Sequence, residues 1–456
     1  MHCKVGFVCF GEVNTPFERL QILHGEAYKT LCTLRQSLPL APDIIDAGIV
    51  IDDPEYATAN DVIKKLPLDI QCLIVCVIGW APTHAVIKVT DVYRHIPMLL
   101  WGYCGWKENG KIITTAPQAG TTAIRPAFEA MGYRFKFVYN VIGKKPPLEK
   151  IAAFINASCC AGKLRNAKIG TMGYRDMLLY GTQFEGNSMR SQIGVEIEPF
   201  EMLEMQQNLQ KLDENEVAEG VSFVKNNWKF EKPCDDGIIV TGVKYALAIV
   251  KKIKERGYEA ISLIDVDGMK KLLGFPPAMV FMLLEHYCGV QTVPENDCMG
   301  AVTQLMLKFV SGQVAPYLEY YEFFEDSMLI GVPDFIPQAA TDGDVKVLPT
   351  AFGQLSASLL NVSKVKTGKV TCARLVYKNG NYYLHLFTGH AETPPAWEEY
   401  GWKPPAPQLP SLKIFPESCT VEEFSQIVSS QHVMLCYGDH SEALKDLCAL
   451  LDIMVI

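Results

Sequence analysis

Three side chains stand out for the chemistry their types permit. Glu295 sits in Val293-Pro294-Glu295-Asn296-Asp297. The pattern predicts a strand ending at Val293, then a helix capped by Asn296 or Asp297, running to Val310 and stopped by Gly312. Its carboxylate is thereby placed at the carboxyl end of a strand, where ligands gather in open α/β sheets. The same position suits a solvated loop acid that favours a helix N-terminus. The local pattern leaves both readings open.

Glu319 lies in a run of acids and aromatics, Leu318-Glu319-Tyr320-Tyr321-Glu322-Phe323-Phe324-Glu325-Asp326. Two carboxylates can hold a divalent cation, and aromatic surroundings strengthen that attraction by lowering the local dielectric. A strand with acids toward solvent and aromatics toward the core reads equally well, although neither alternating face is clean. His432 opens the apolar strand His432-Val433-Met434-Leu435-Cys436-Tyr437. Both faces of that strand are apolar, so it should be buried. A buried imidazole needs partners for two ring nitrogens, and these can be core groups or a metal. The other histidines, among them His84, His286, His385 and His390, show no H-x-x-x-H or similar ligand spacing. No G-x-S-x-G, P-loop or G-x-G-x-x-G pattern occurs, which removes the main support for serine hydrolase, P-loop and dinucleotide-binding chemistry.

The elements that must position these residues are readable in outline. Strand-like runs over 4–10, 43–51, 71–78 and 98–102 alternate with helical stretches over 17–37 and 60–65. A βαβα order implies a mostly parallel sheet covered by helices. A second α/β unit starts near 167, with strands over 168–173 and 260–265, helices over 214–225 and 245–256, and an apolar helix opened by Pro276-Pro277. The last third turns to strands over 345–348, 369–377 and 382–387, and Lys378-Asn379-Gly380-Asn381 reads as a type I′ hairpin. The stretch 394–410, with six prolines and two tryptophans, reads as a surface excursion. The expected fold class is α/β: two doubly wound α/β domains with mostly parallel sheets (1–165 and 166–312), then a mainly β domain (313–456) with a terminal helix.

Composition narrows the class. The 456 residues suggest two to four domains. Hydrophobic residues make up 49% and charged residues 20%, which is a globular balance. A formal net charge of −9 argues against nucleic acid and against a polybasic membrane anchor. The opening MHCKVGFVCFGEVNTP has too short an apolar run for a secretory leader, and 276–287 is too short to span a bilayer. Fifteen cysteines, an odd number without C-x-x-C, read as free thiols in a reducing cytoplasm.

The three candidate residues also fall in order on a known pattern. The sequence resembles the L-fucose isomerase/L-arabinose isomerase family of metal-dependent aldose–ketose isomerases, closer to the fucose isomerase branch. Gly289-Val290-Gln291-Thr292-Val293-Pro294-Glu295-Asn296-Asp297 is similar to the segment carrying the family's first metal carboxylate. Glu319 falls where that branch has its second acid. Gln431-His432-Val433-Met434-Leu435-Cys436-Tyr437-Gly438-Asp439 is similar to the segment with the metal histidine. Ile169 to Tyr180, with Arg175-Asp176-Met177-Leu178-Leu179-Tyr180, resembles the second domain's opening strand and R-x-M-x-x-Y turn, and Ile193-Gly194-Val195-Glu196 resembles F-G-I-D-V-E. The chain departs at Leu329-Ile330-Gly331-Val332-Pro333-Asp334, where many relatives have a glycine–histidine–glycine stretch.

The resemblance implies a divalent ion, Mn²⁺ first, held by Glu295, Glu319 and His432, with Zn²⁺, Co²⁺ or Mg²⁺ also compatible with these ligands. It implies that Glu295 and Glu319 double as the acid/base pair of an ene-diolate isomerisation. Arg175 could reach a sugar hydroxyl or serve the fold. Trp80, in Gly79-Trp80-Ala81-Pro82, could stack on a sugar or fill a core. The implied substrate is a small open-chain sugar: L-fucose, D-arabinose, L-arabinose or a charged hexose derivative. The implied assembly is a homo-oligomer, hexamer or trimer, with first domains covering neighbours' sites. Two other classes share the fold and remain open: a metal-dependent lyase or epimerase, and a non-catalytic sugar-binding protein.

Overall fold

The computed structural model describes residues 3–332, 335–350, 358–396 and 409–456. The chain forms two compact units, one of residues 1–163 with Glu442–Leu451, the other of 164–441 with Asp452–Ile456. The second and third segments anticipated from sequence thus lie in one unit, and the late helix Ser441–Leu450 runs mostly in the first. There Lys136 Nζ meets Glu442 at 2.8 Å and Asp446 at 2.7 Å.

In the first unit β1 (Lys4–Phe10), β2 (Asp43–Val50), β3 (Cys72–Val77), β4 (Met98–Gly102) and β5 (Phe135–Tyr139) form one parallel sheet in the order β2-β1-β3-β4-β5. Every residue of β3 and β4 is buried. That is why they read as continuous apolar runs, the signature of a parallel sheet covered on both faces. β5 has only one fully buried residue, and its mixed sequence hid it from pattern reading. The helix anticipated over 60–65 begins earlier, at Ala57, because the Asp53 carboxylate accepts the Ala57 and Thr58 N–H groups and caps the first turn.

The second unit holds two main sheets. The first is parallel, in the order β9-β8-β6-β7, from β6 (Lys168–Met172), β7 (Glu196–Phe200), β8 (Ala260–Leu263) and β9 (Gln291–Val293). The helix Asp236–Arg256 starts nine residues before the helix anticipated over 245–256, capped by the Asp235 carboxylate on the Gly237 N–H and ended by left-handed Gly257.

In the second sheet six antiparallel strands close on themselves: β10 (Tyr317–Phe323), β11 (Met328–Gly331), β12 (Gly368–Lys378), β13 (Asn381–Glu392), β14 (Ser411–Pro416) and β15 (His432–Tyr437). A short seventh strand, Met454–Val455, pairs with β13 in parallel. Each of the six antiparallel strands pairs with two neighbours around the ring β10-β11-β14-β13-β12-β15, so none of them is left as an edge. The architecture is thus mixed α/β, with two parallel sheets followed by an antiparallel barrel. Asn379 (φ 53°) and Gly380 (φ 80°) make the anticipated tight turn between β12 and β13 and fix their register. Leu318, Val370, Cys372, Phe387, Leu412, Ile414, Val433 and Leu435 form one buried cluster inside the barrel. Of the anticipated proline-rich excursion, 397–408 lies outside the described residues, as do Pro333 and Asp334. No helix of the described residues is long and apolar enough to cross a membrane.

A buried Glu–Glu–His cluster

Strand alternation decides where Glu319 and His432 go. On β10, Leu318 packs into the barrel core, so Glu319 turns to the opposite face. On β15, Val433 and Leu435 pack inward, so His432 and Met434 take that same outer face. The register pairs Glu319 directly with His432, beside Leu318–Val433 and Tyr317–Met434. The helix Cys298–Ser311 covers this face, with Gly300 against the Met434 methyl. Glu295 arrives from the parallel sheet, in the turn between β9 and that helix.

The three side chains converge. One donor atom from each of Glu295, Glu319 and His432 lies within 4.8 Å of the others, and no other such trio was found among the described residues. His432 Nε2 is 3.0 Å from Glu295 Oε2 and 4.0 Å from Glu319 Oε1. The Gln431 side-chain amide is also 2.9 Å from this nitrogen. Glu295 and His432 are buried, while the Glu319 side chain keeps 22% exposure.

The cluster rests on a second layer that sequence reading missed. Asp297 was anticipated as a helix cap, and it does accept the Gly300 N–H at 2.8 Å. It also accepts a hydrogen bond from the Tyr317 hydroxyl at 3.0 Å and meets His432 Nδ1 at 3.1 Å. Arg374 grips both its oxygens, Nη1 on Oδ2 and Nη2 on Oδ1, the latter at 3.0 Å. Burial by itself would raise the Asp297 carboxyl. The Arg374 charge and His432 more than reverse that and hold it well below the carboxylate range. Burial would push His432 down, but the Asp297 hydrogen bond and the Glu295 carboxylate raise it above its ordinary value. With Nδ1 committed to Asp297, Nε2 faces the two glutamates. This is the arrangement by which a carboxylate orients a metal-ligating imidazole. The signal for Arg374 was present: a lone guanidinium in Thr371-Cys372-Ala373-Arg374-Leu375-Val376 cannot be buried without an acid.

The donor set fits a divalent cation. Glu295 Oε2 is buried with His432 Nε2 beside it at 3.0 Å, and a cation held between the donors would satisfy both atoms at once. Ligands about 2.0–2.2 Å from one ion lie about 3 Å apart when adjacent. The separation of Glu295 Oε2 and His432 Nε2 matches that.

The other two anticipated residues stand elsewhere. Arg175 is half-buried on the loop after β6, its guanidinium 4.8 Å from the Tyr180 ring centroid. That loop continues to Gly181 and Thr182, whose carbonyls accept from Arg374 and from the Cys298 N–H. Trp80 belongs to the first unit, where it is 39% exposed and its N–H donates to the Thr115 carbonyl. No protein-family model matches the chain, and no curated protein matches it.

Proposed function

We propose that the chain is a cation-dependent aldose–ketose isomerase acting on a small open-chain sugar, in the manner of the L-fucose/L-arabinose isomerases. One observation carries the reading. Glu295, Glu319 and His432, singled out by residue type and resemblance, gather in one buried cluster although they come from three separate strands or turns.

A divalent cation held by these three residues, Mn²⁺ in the first instance, supplies Lewis-acid polarisation of a carbonyl and its neighbouring hydroxyl. The protein's own groups do the rest. One glutamate removes the proton from C2 of the aldose; the C–H electron pair becomes the C1–C2 double bond of an ene-diolate and the former carbonyl pair moves onto O1. The same proton, or one from the other glutamate, is delivered to C1, while the O2 hydroxyl proton passes to O1 and C2 becomes the ketone carbon. Glu295 is enclosed and Glu319 partly open to solvent, so the two carboxylates meet different surroundings, as an acid/base pair requires. His432, locked by Asp297, keeps its remaining nitrogen aimed at the same point. A cytoplasmic homo-oligomer, hexamer or trimer, belongs to the same reading. The cytoplasmic part of it is supported by the fifteen free cysteines, which suit a reducing compartment.

The test is product analysis of an aldose panel with Mn²⁺, with and without chelator. An aldose–ketose equilibrium that chelation abolishes is the expected outcome. Fragments would point to a lyase, a second aldose to an epimerase, and unchanged sugar with measurable binding to a non-catalytic protein. Each of these overturns the isomerase.

A further inference from the structure

Glu295 and Asn296 both take left-handed backbone conformations, φ 63° and 48°. Two successive non-glycine residues there are strained, because each Cβ crowds its own carbonyl, and such strain persists only where the surroundings enforce it. Asn296 has ordinary restraints: its N–H donates to the Leu263 carbonyl at 3.1 Å and its side-chain amide to the Met172 carbonyl at 3.1 Å. Glu295 has a different one. Its N–H donates to Asp265 Oδ1 at 2.6 Å. Asp265 is fully buried at the carboxyl end of β8, on a short wide helical turn, Asp265–Lys270. Its other oxygen lies 3.4 Å from the Nζ of Lys270, itself 6% exposed. Asp265 thus brings a buried carboxylate, with Lys270 beside it, against the Glu295 N–H.

The geometry points to Asp265 as a positioning residue for Glu295. With its charge balanced by Lys270, it holds the Glu295 backbone left-handed, so that the side chain is presented to Glu319 and His432 rather than along the strand direction. This rests on the cluster being a cation site. Asp265 acts through the Glu295 backbone and touches no substrate.

Asp265→Ala removes the acceptor. Asp265→Asn with Lys270→Met keeps an acceptor oxygen and leaves no unpaired charge, which guards against simple misfolding. Two readouts are needed. Hydrogen exchange of the peptide spanning 292–297 reports the Glu295 N–H with no cation present. Calorimetric titration with Mn²⁺ reports the cluster. In Asp265→Ala, exchange at Glu295 should rise at least tenfold and Mn²⁺ affinity should fall at least tenfold, while exchange in β6 and β8 stays as in the native protein. The double variant should stay within about threefold of native on both.

Unchanged exchange at Glu295 in Asp265→Ala overturns the proposal. So does faster exchange with undiminished Mn²⁺ affinity, which would make the hydrogen bond merely structural. If the native protein itself takes up no Mn²⁺, the cation reading has failed and the positioning role falls with it. That failure is recognisable because it shows before any variant is made.

Discussion

Glu319 and His432 stand directly opposite each other on adjacent antiparallel strands, with the Glu319 Oε1 to His432 Nε2 separation at 4.0 Å. A slip of one residue between β10 and β15 would send one of them into the apolar barrel interior. The core contacts of Leu318, Val433 and Leu435 therefore select the register that brings the acid and the imidazole together.

A cation that binds only the folded cluster should raise the melting temperature. At a hundred times Kd the gain is about 2.7 kcal/mol. Differential scanning fluorimetry with Mn²⁺ should show this for the native protein and not for Glu319→Gln or His432→Gln. An equal shift in all three would place the binding elsewhere.

Glu295→Gln keeps the side chain's shape and removes its basicity. Turnover should fall by about 10²-fold or more, the usual worth of a positioned acid or base, with the fold intact by circular dichroism. Near-native rates in that variant would take Glu295 out of the chemistry.

Asp297→Ala leaves the guanidinium of Arg374 buried without its partner. Loss of one member of a buried pair costs about 3–5 kcal/mol. Urea denaturation should show a fall of that order in the second unit. Adding Arg374→Met should recover a large part of the loss, since it removes the stranded charge. A single variant within about 1 kcal/mol of native would contradict this account.

His385 is 2% exposed, and both ring nitrogens are without hydrogen-bond partners among the described residues. Burial, helped by the charges of Lys378 and Arg374, lowers its pKa from 6.5 to about 4. The folded state therefore resists protonation while the unfolded chain accepts it. The contribution to stability is complete above about pH 6.5 and is lost as pH falls toward 4. At 1.36 kcal/mol per pH unit the loss is on the order of 3 kcal/mol. His385→Phe should flatten that part of the stability profile in urea titrations between pH 7 and 4, and should not destabilise the protein at neutral pH. An unchanged acid slope would show that other groups set it.

Some of this was legible in the residues themselves, because it is local. The continuous apolar runs announced the parallel sheet of the first unit, and Asn379-Gly380 announced a tight turn with two positive φ angles. Pro294 to Asp297 announced a strand giving way to a capped helix, and with it a carboxylate at the strand's end. Residue type marked Glu295, Glu319 and His432, and a resemblance to a known family suggested grouping them.

Tertiary structure alone decided whether they meet. Closure of the barrel through β12–β15, the pairing of Glu319 with His432, and the capture of Asp297 by Arg374 all join residues distant along the chain. No local preference encodes them. The left-handed backbone of Glu295, fastened to Asp265, is of the same kind: Asn296 tolerates positive φ, but nothing in Pro294-Glu295 favours it, and a buried carboxylate from the turn after β8 imposes it. Sequence supplies the donors and their local conformation. Their convergence is set by which apolar faces are buried together, and that is a property of the whole packed unit.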